Sequence, residues 1–290
     1  MISIVIVSKD EASLDDTLAD VTGQARNLDQ PCEIVVVDAS DGRLDHIRQS
    51  HETHVRWVQF KRPAGVSISI PHQRNAGVHA AGGDVIVFTD AGCRPETDWL
   101  THLVTPFSHG EQITAGVTLS ACGDAGVYDG WAQQVRESRY LTECGAGNLA
   151  FRREAFDAVG GFDEGFAYGS DIDFTWRLVE AGYRIRKVHN AVVRHDFGTW
   201  RRQLRRSYVY GKARTRLYRK HRSRLKDVLH TDPMVIVYPL FLLGLPLTLI
   251  FPFYPGLLLI PAWRNRSLGW AKVLVDHLTF GIGVLAELMH

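Results

Sequence analysis

Short unbroken runs of aliphatic and β-branched residues recur along the first half of the chain, separated by stretches whose apolar positions fall at helical spacing. Ser3-Ile-Val-Ile-Val7 and Glu33-Ile-Val-Val-Val37 are continuous and apolar, the pattern of strands covered on both faces. Between them Leu14, Leu18 and Val21 recur at helical spacing after Ser13, a residue suited to an N-cap. His54–Phe60 and Asp84–Thr89 read as further strands, with a helical segment around Arg74–Ala81 between them. Pro95–Phe107 reads as one helix, with Pro95 near its start and Trp99, Leu100, Leu103, Val104 and Phe107 on one face. Strands alternating with helices predict a parallel, doubly wound α/β sheet, whose ligand sites lie at the C-terminal strand ends. Asp38 and Asp90 each follow such a strand directly.

Past residue 110 the pattern loosens. Gln112–Leu119 reads as a strand and Gly123–Gly130 as a loop, and the paired glycines of Gly145-Ala-Gly-Asn-Leu-Ala-Phe151 permit close backbone approach. Phe174, Leu178 and Val179 give the helix after Gly169 an apolar face, Gly182 ends it, and Val188–His195 is a last strand. Met234–Trp263 then carries no charged residue, which exceeds the roughly 20 apolar positions needed to cross a bilayer. Pro239, Pro246, Pro252, Pro255 and Pro261 interrupt it, so the expectation is a bent segment that dips into one leaflet and returns. Leu268–Met289 reads as an amphipathic helix in the membrane interface, with Lys272, Asp276, Gly283 and Glu287 as its polar stripe. A helix hairpin packed on the soluble part is the alternative.

Charge adds one asymmetry. Lys and Arg total 33 against 32 Asp and Glu, which speaks against a polyanionic partner for the whole chain. Yet Arg201–Lys226 holds twelve basic and no acidic residues. Lying directly before the uncharged run, it predicts contact with an anionic membrane surface rather than nucleic acid, although its tyrosines would also suit the latter. Cys32, Cys93, Cys122 and Cys144 form no metal or redox spacing and are expected to be reduced. No signal peptide is expected, because the chain opens directly on a strand. These segments divide the chain into an α/β domain over 1–200 with halves 1–110 and 111–200, a basic helical linker over 201–232, and an expected membrane-associated region over 233–290.

The carboxylates carry the candidate chemistry. Asp90 enters the small-residue turn Ala91-Gly92-Cys93, a place for a divalent cation bridging two phosphates, or for a turn or helix cap. Asp171 and Asp173, at a helix start, face about 200° apart. One can meet a cleft and take a proton from an attacking alcohol while the other pairs with Arg177; both could instead serve only the helix dipole. Arg74, in His72-Gln-Arg-Asn-Ala-Gly77, could grip phosphate or form a surface ion pair. His195, ending a strand, is a candidate metal ligand or a structural histidine.

In order along the chain, Ser3–Glu11, Val37-Asp-Ala-Ser-Asp-Gly42, Arg74-Asn-Ala-Gly77, Phe88-Thr-Asp-Ala-Gly92, Gly147-Asn148 with Arg152 and Gly160-Gly-Phe-Asp163, and Ser170-Asp171 resemble the motifs of the family 2 glycosyltransferases over roughly residues 1–215. The resemblance implies a GT-A (Rossmann-like) mixed sheet flanked by helices, here with a basic and hydrophobic helical appendage. It implies that Ser8, Lys9, Glu11, Asp38, Ser40, Arg74 and Asp90 bind the donor nucleotide, Asp38 holding the base. Gly147, Asn148, Asp163 and Asp173 would lie on the acceptor side, Asp171 would be the catalytic base, and Asp90 with His195 would hold a divalent metal, Mn²⁺ or Mg²⁺. The donor would be a nucleoside-diphosphate sugar of UDP or GDP type. The reaction implied is inverting transfer of one sugar to a glycan or polyprenyl-linked acceptor at the cytoplasmic membrane face. The sequence departs from the family pattern at Lys9 and Asp10, where an aromatic and Asn are usual, at Gly92 and Ser170, where acidic residues are usual, and at Ser207. A sugar-nucleotide-binding protein without turnover, a nucleotidyltransferase, and a basic membrane- or nucleic-acid-binding protein are the alternatives.

Overall fold

The computed structural model describes residues 1–121, 139–265 and 269–290, so the expected loop at Gly123–Gly130 lies outside the described residues. Two compact units emerge, the first taking in Met1–Ala121 and continuing to Asp196, the second containing Phe197–His290.

The first unit is built on one sheet. β1 (Ile2–Ser8), β2 (Cys32–Asp38), β3 (Val55–Gln59) and β4 (Val85–Asp90) run parallel in the order β3-β2-β1-β4. β8 (Asn148–Arg152) then joins antiparallel to β4, β6 (Ile113–Ser120) antiparallel to β8, and β9 (Ile185–His195) parallel to β6. The short β5 (Cys93–Pro95) and β7 (Tyr140–Leu141) pair antiparallel with β9. The sheet is therefore mixed rather than wholly parallel, because β8 enters against the run of β4.

Alternation along the strands divides the core in two. Ile2, Ile4 and Ile6 pack with Leu14, Leu18 and Val21 of α1 (Leu14–Arg26) and with Trp99, Leu100 and Leu103 of α4 (Trp99–Val104). Val5 and Val7 face the other side, with Val78 of α3 (Ile70–Ala80), α5 (Arg153–Ala158) and α6 (Ser170–Glu180). There Phe162 stacks on Phe174 at 4.3 Å, within a cluster that includes Phe88, Phe151 and Phe156. Each such side chain contributes about 1.5–3 kcal/mol by leaving water. α2 (Asp45–His51) links β2 to β3. The expected helix over Pro95–Phe107 is shorter: Pro95 closes β5 against β9, and the helix begins only at Trp99.

In the second unit, α7 (Trp200–Lys220) is capped by the Thr199 hydroxyl, which accepts from the Arg202 N–H. The proline-rich stretch beyond it is broken into α8 (Val228–Thr231), α9 (Met234–Leu243), 3-10 turns at Leu245–Leu249 and Tyr254–Leu258, and α10 (Leu259–Arg264). α11 (Trp270–Leu288) crosses α7 closely, since a Cβ on Gly283 would fall 2.0 Å from the Tyr208 carbonyl oxygen. Opposite, a Cβ on Gly211 would fall 2.1 Å from that of Phe280. Of the expected polar stripe of α11, Lys272 is exposed and the two carboxylates are turned inward: Asp276 accepts from Gln203 and Ser207, and Glu287 pairs with Arg216 at 2.7 Å and Lys212 at 3.5 Å. Carboxylates that would face water on a lone helix are satisfied by α7. The proline-rich stretch turns apolar side chains outward, with Leu249, Ile250 and Phe253 each more than three-quarters exposed. Among the described residues no helix is long and apolar enough to cross a membrane.

Candidate functional site

Parallel register sets Ser8 beside Asp38 at the C-terminal ends of β1 and β2. Asp38 is buried, and its Oδ1 accepts from the Ser40 N–H at 3.1 Å and from the Ser40 hydroxyl. That hydroxyl in turn accepts the Asp10 N–H at 2.8 Å, which ties the two loops together. Burial raises the Asp38 carboxyl above its ordinary value, against the lowering effect of the Ser40 hydrogen bonds. Asp10 adopts φ +57°, and Arg43 holds its carboxylate at 2.6 Å and lowers its pKa. Gln73 on α3 donates to the Ser8 carbonyl at 2.9 Å and to that of Val37 at 3.0 Å. The sequence reading missed Gln73, since nothing in a lone glutamine on a helix announces two carbonyls beneath it. Lys9 is exposed, and Glu11 is occupied with the Ser13 hydroxyl at 2.6 Å.

One strand over, Asp90 ends β4 with its side chain 41% exposed. Arg74, almost fully buried, extends one nitrogen to 3.8 Å from Asp90 Oδ1 and another to 3.4 Å from the Ser170 hydroxyl, while its Nε has no hydrogen-bond partner among the described residues. Phe162 lies beneath its guanidinium at 5.4 Å. The backbone of Gly147 presses on Asp90: a Cβ there would sit 2.7 Å from Asp90 Oδ2. Two residues earlier, a Cβ on Gly145 would sit 3.5 Å from Asp171 Oδ2. The segment Gly145-Ala146-Gly147 thus has Asp171 at one end and Asp90 at the other, with Arg74 reaching from Asp90 to Ser170.

His195 lies opposite Cys93, its ring 3.8 Å from the thiol, and it borders Gly92, whose φ of +87° disfavours a side chain. Among the described residues no three His, Cys, Asp or Glu side chains converge as a metal cage. One hard carboxylate at a sheet edge, with an imidazole near the same turn, fits a cation that takes most of its oxygens from phosphate and water.

Toward the acceptor side of the expected site, Asp171, second residue of α6, is partly buried; its Oδ2 takes the Ala146 N–H at 3.4 Å and its Oδ1 the Ile172 N–H at 3.0 Å. Asp173 points the other way, wholly buried and paired with Arg177 at 2.8 Å, which rules out an acceptor contact for it. Asn148 is also committed inside the sheet. Its amide takes the Trp99 indole N–H at 2.8 Å and donates to the carbonyls of Val117 and Ala191. Arg152 lies opposite Val85, at the other end of the sheet from Asp90. Asp163 turns its own loop, accepting the Gly165 N–H at 2.9 Å.

A family model described as Glycosyl transferase family 2 matches residues 3–162, and one described as Glycosyl transferase family group 2 matches residues 93–280. The pre-mycofactocin glycosyltransferase of Mycobacterium tuberculosis is 29% identical over 180 residues, 56% of this chain and 36% of that protein. Glycosyltransferase AglE of Haloferax volcanii is 25% identical over 162 residues, 53% of each. The chain thus spans only a third to a half of the length of these relatives. Among solved structures, the mannosyltransferase PcManGT from Pyrobaculum calidifontis, in complex with GDP-Man and Mn²⁺, has a TM-score of 0.70 over 99% of this chain and 86% of its own, at 18% identity. That likeness shows a GT-A fold. With more than half of its length inside the first family model, the chain belongs to glycosyl transferase family 2.

Proposed function

We propose that the protein transfers one sugar, with inversion, from a nucleoside-diphosphate sugar to a hydroxyl or phosphate acceptor. The observation that carries this reading is the placing of Asp90 and Asp171 at the two ends of Gly145–Gly147, with Arg74 beside Asp90. Asp38 and Ser40 hold the base and Gln73 braces the loops around it. Asp90 and Arg74 receive the diphosphate, and Arg74 is pre-set for it by burial and by its unpartnered Nε. A divalent cation held by Asp90, with His195 nearby, would offset the charge gathering on the departing diphosphate. Asp171 accepts the proton of the acceptor hydroxyl as that oxygen bonds to the anomeric carbon. The bond from that carbon to the diphosphate breaks on the opposite side, and the proton remains on Asp171. Asp171→Asn should abolish turnover while leaving donor affinity nearly intact; full residual activity would refute the assignment. Donor binding without any release of nucleoside diphosphate by the unaltered protein would favour a non-catalytic binder, the reading that Gly92 invites.

We further propose that the second unit rests on a membrane surface, at the cytoplasmic face, and that the acceptor is a glycan or polyprenyl-linked. The membrane placement is supported by the outward apolar surface around Leu249–Phe253 together with the basic residues of α7. Full-length protein should float with liposomes containing anionic lipid, and Ile250→Asp with Phe253→Asp should leave it in the lower fraction. Flotation unaffected by these changes would remove that surface from the account.

A further inference from the structure

Three arginines gather where β7 meets β9. Tyr140, paired with Arg186 across the two strands, is anchored by its hydroxyl, which donates to Glu111 at 2.8 Å. The Arg184 guanidinium lies 3.6 Å from the centre of that ring, and those of Arg139 and Arg186 each lie 5.7 Å from it. Stacking on an aromatic face satisfies the flat side of a guanidinium and leaves its in-plane N–H groups open. Arg186 reaches the Arg139 carbonyl at 3.5 Å, and no carboxylate among the described residues pairs with any of the three. Elsewhere in the same unit exposed arginines do find carboxylates: Arg43 holds Asp10, Arg94 holds Asp20 and Arg194 holds Glu96. Glu111 is the carboxylate at hand, and it is engaged by the tyrosine. Three cations against that one anion leave two charges unmatched.

Like charges crowded around one ring repel, and a bound anion offsets that cost. Guanidinium forks match pairs of phosphate oxygens, and two unmatched charges fit a group that is doubly ionised. A carboxylate or a phosphodiester brings only one charge. We propose that Arg139, Arg184 and Arg186 form a binding site for a doubly charged phosphate group, a phosphomonoester or a diphosphate. The site is separate from that of the donor. Register sets Arg186 beside Thr114, Thr114 beside Ala150, and Ala150 beside Val87, three residues short of Asp90. Three strand spacings across and three residues along put the backbones of Arg186 and Asp90 roughly 17 Å apart. A diphosphate held at Asp90 does not reach that far. Leu141 and Ile185 pack on the Phe162 side of the sheet with α6, so Tyr140 and Arg186 turn to the other face. The cluster therefore grips its phosphate away from the reacting atoms, whether that phosphate belongs to a soluble compound or to a lipid headgroup.

The test is calorimetric titration of the full chain by inorganic pyrophosphate in EDTA, which removes metal-borne binding at the donor site. The unaltered protein is compared with the double variant Arg184→Gln with Arg186→Gln, with Arg139→Gln, and with Arg74→Gln as the donor-site control. Pyrophosphate should bind the unaltered protein, and the double variant should bind it at least about 10-fold more weakly, the worth of one charge-assisted hydrogen bond. Arg139 is exposed, so Arg139→Gln should also weaken binding, and it decides the matter if the double variant does not fold. Arg74→Gln should leave the affinity nearly unchanged, and acetate at matched ionic strength should not compete. Flotation with phosphatidylcholine vesicles, with and without phosphatidic acid, separates the two sources. Flotation that depends on phosphatidic acid and is lost in the double variant assigns the phosphate to a lipid headgroup; flotation untouched by the substitutions, with pyrophosphate binding lost, assigns it to a soluble ligand. Pyrophosphate affinity that ignores the three arginines, or falls only in Arg74→Gln, would overturn the site. Acetate competing as well as phosphate would overturn its selectivity for a doubly charged group.

Discussion

Replacing Gly147 by alanine should disable the donor site while sparing the fold. The added Cβ would lie 2.7 Å from Asp90 Oδ2, where ordinary contact begins near 3.4 Å, so the carboxylate must retreat by about 0.7 Å. Asp90 is 41% exposed and can swing toward solvent, so the strain should stay near 1 kcal/mol, the cost of an off-rotamer side chain. That corresponds to a few degrees in Tm. Function is far more sensitive, since misplacing a group by about 1 Å can cost about 100-fold in rate. The expected loss in kcat/KM is therefore roughly 10- to 100-fold. Release of nucleoside diphosphate from the sugar nucleotide reads the rate, and a thermal melt reads the fold. Gly145→Ala is the control, because its Cβ would meet Asp171 at an ordinary 3.5 Å and should change little. The reasoning fails if Gly147→Ala keeps kcat/KM within about threefold of the unaltered protein, or if both variants lose activity equally.

Asp173→Ala should cost about 3–5 kcal/mol in urea denaturation, because it strands the Arg177 charge of a buried pair, and an unchanged midpoint would refute the ion pair's structural role. Gly283→Ala must push apart the backbones of α7 and α11, and chemical denaturation should show a loss of about 1–3 kcal/mol; equal stability would mean the crossing is looser than described. Burial lifts the Cys93 thiol to about 12, so iodoacetamide at pH 8 should leave it unlabelled in the folded protein and modify it in urea. Rapid labelling of the native form would show that Cys93 is not enclosed.

Local pattern carried much of the first unit. The runs at Ile4–Val7 and Ile34–Val37 could be nothing but covered strands, and carboxylates at their ends had to face the sheet's C-terminal edge. Register is a different matter. That β8 enters between β4 and β6 depends on pairing across dozens of residues, and no short window contains it. The same distance hid the fate of Asn148, whose amide is consumed by Trp99 and Ala191, 49 and 43 positions away. Asp171 and Asp173 were separable in kind, because two positions on a helix point opposite ways. Which of them faced inward was settled by Arg177, together with the carbonyls of Val159 and Gly161 that receive its guanidinium. On α11 the spacing of the stripe was legible and its direction was not, because direction depends on the partner helix.

The inward carboxylates of α11 have a practical consequence for anyone wishing to borrow the helix. Grafted onto a carrier protein, residues 269–290 would leave behind the donors that α7 supplies to Asp276 and Glu287. The segment would arrive with two orphaned carboxylates and a glycine notch cut for a helix that is no longer there. It is half of a lock, and a transplantable module would have to begin no later than Thr199.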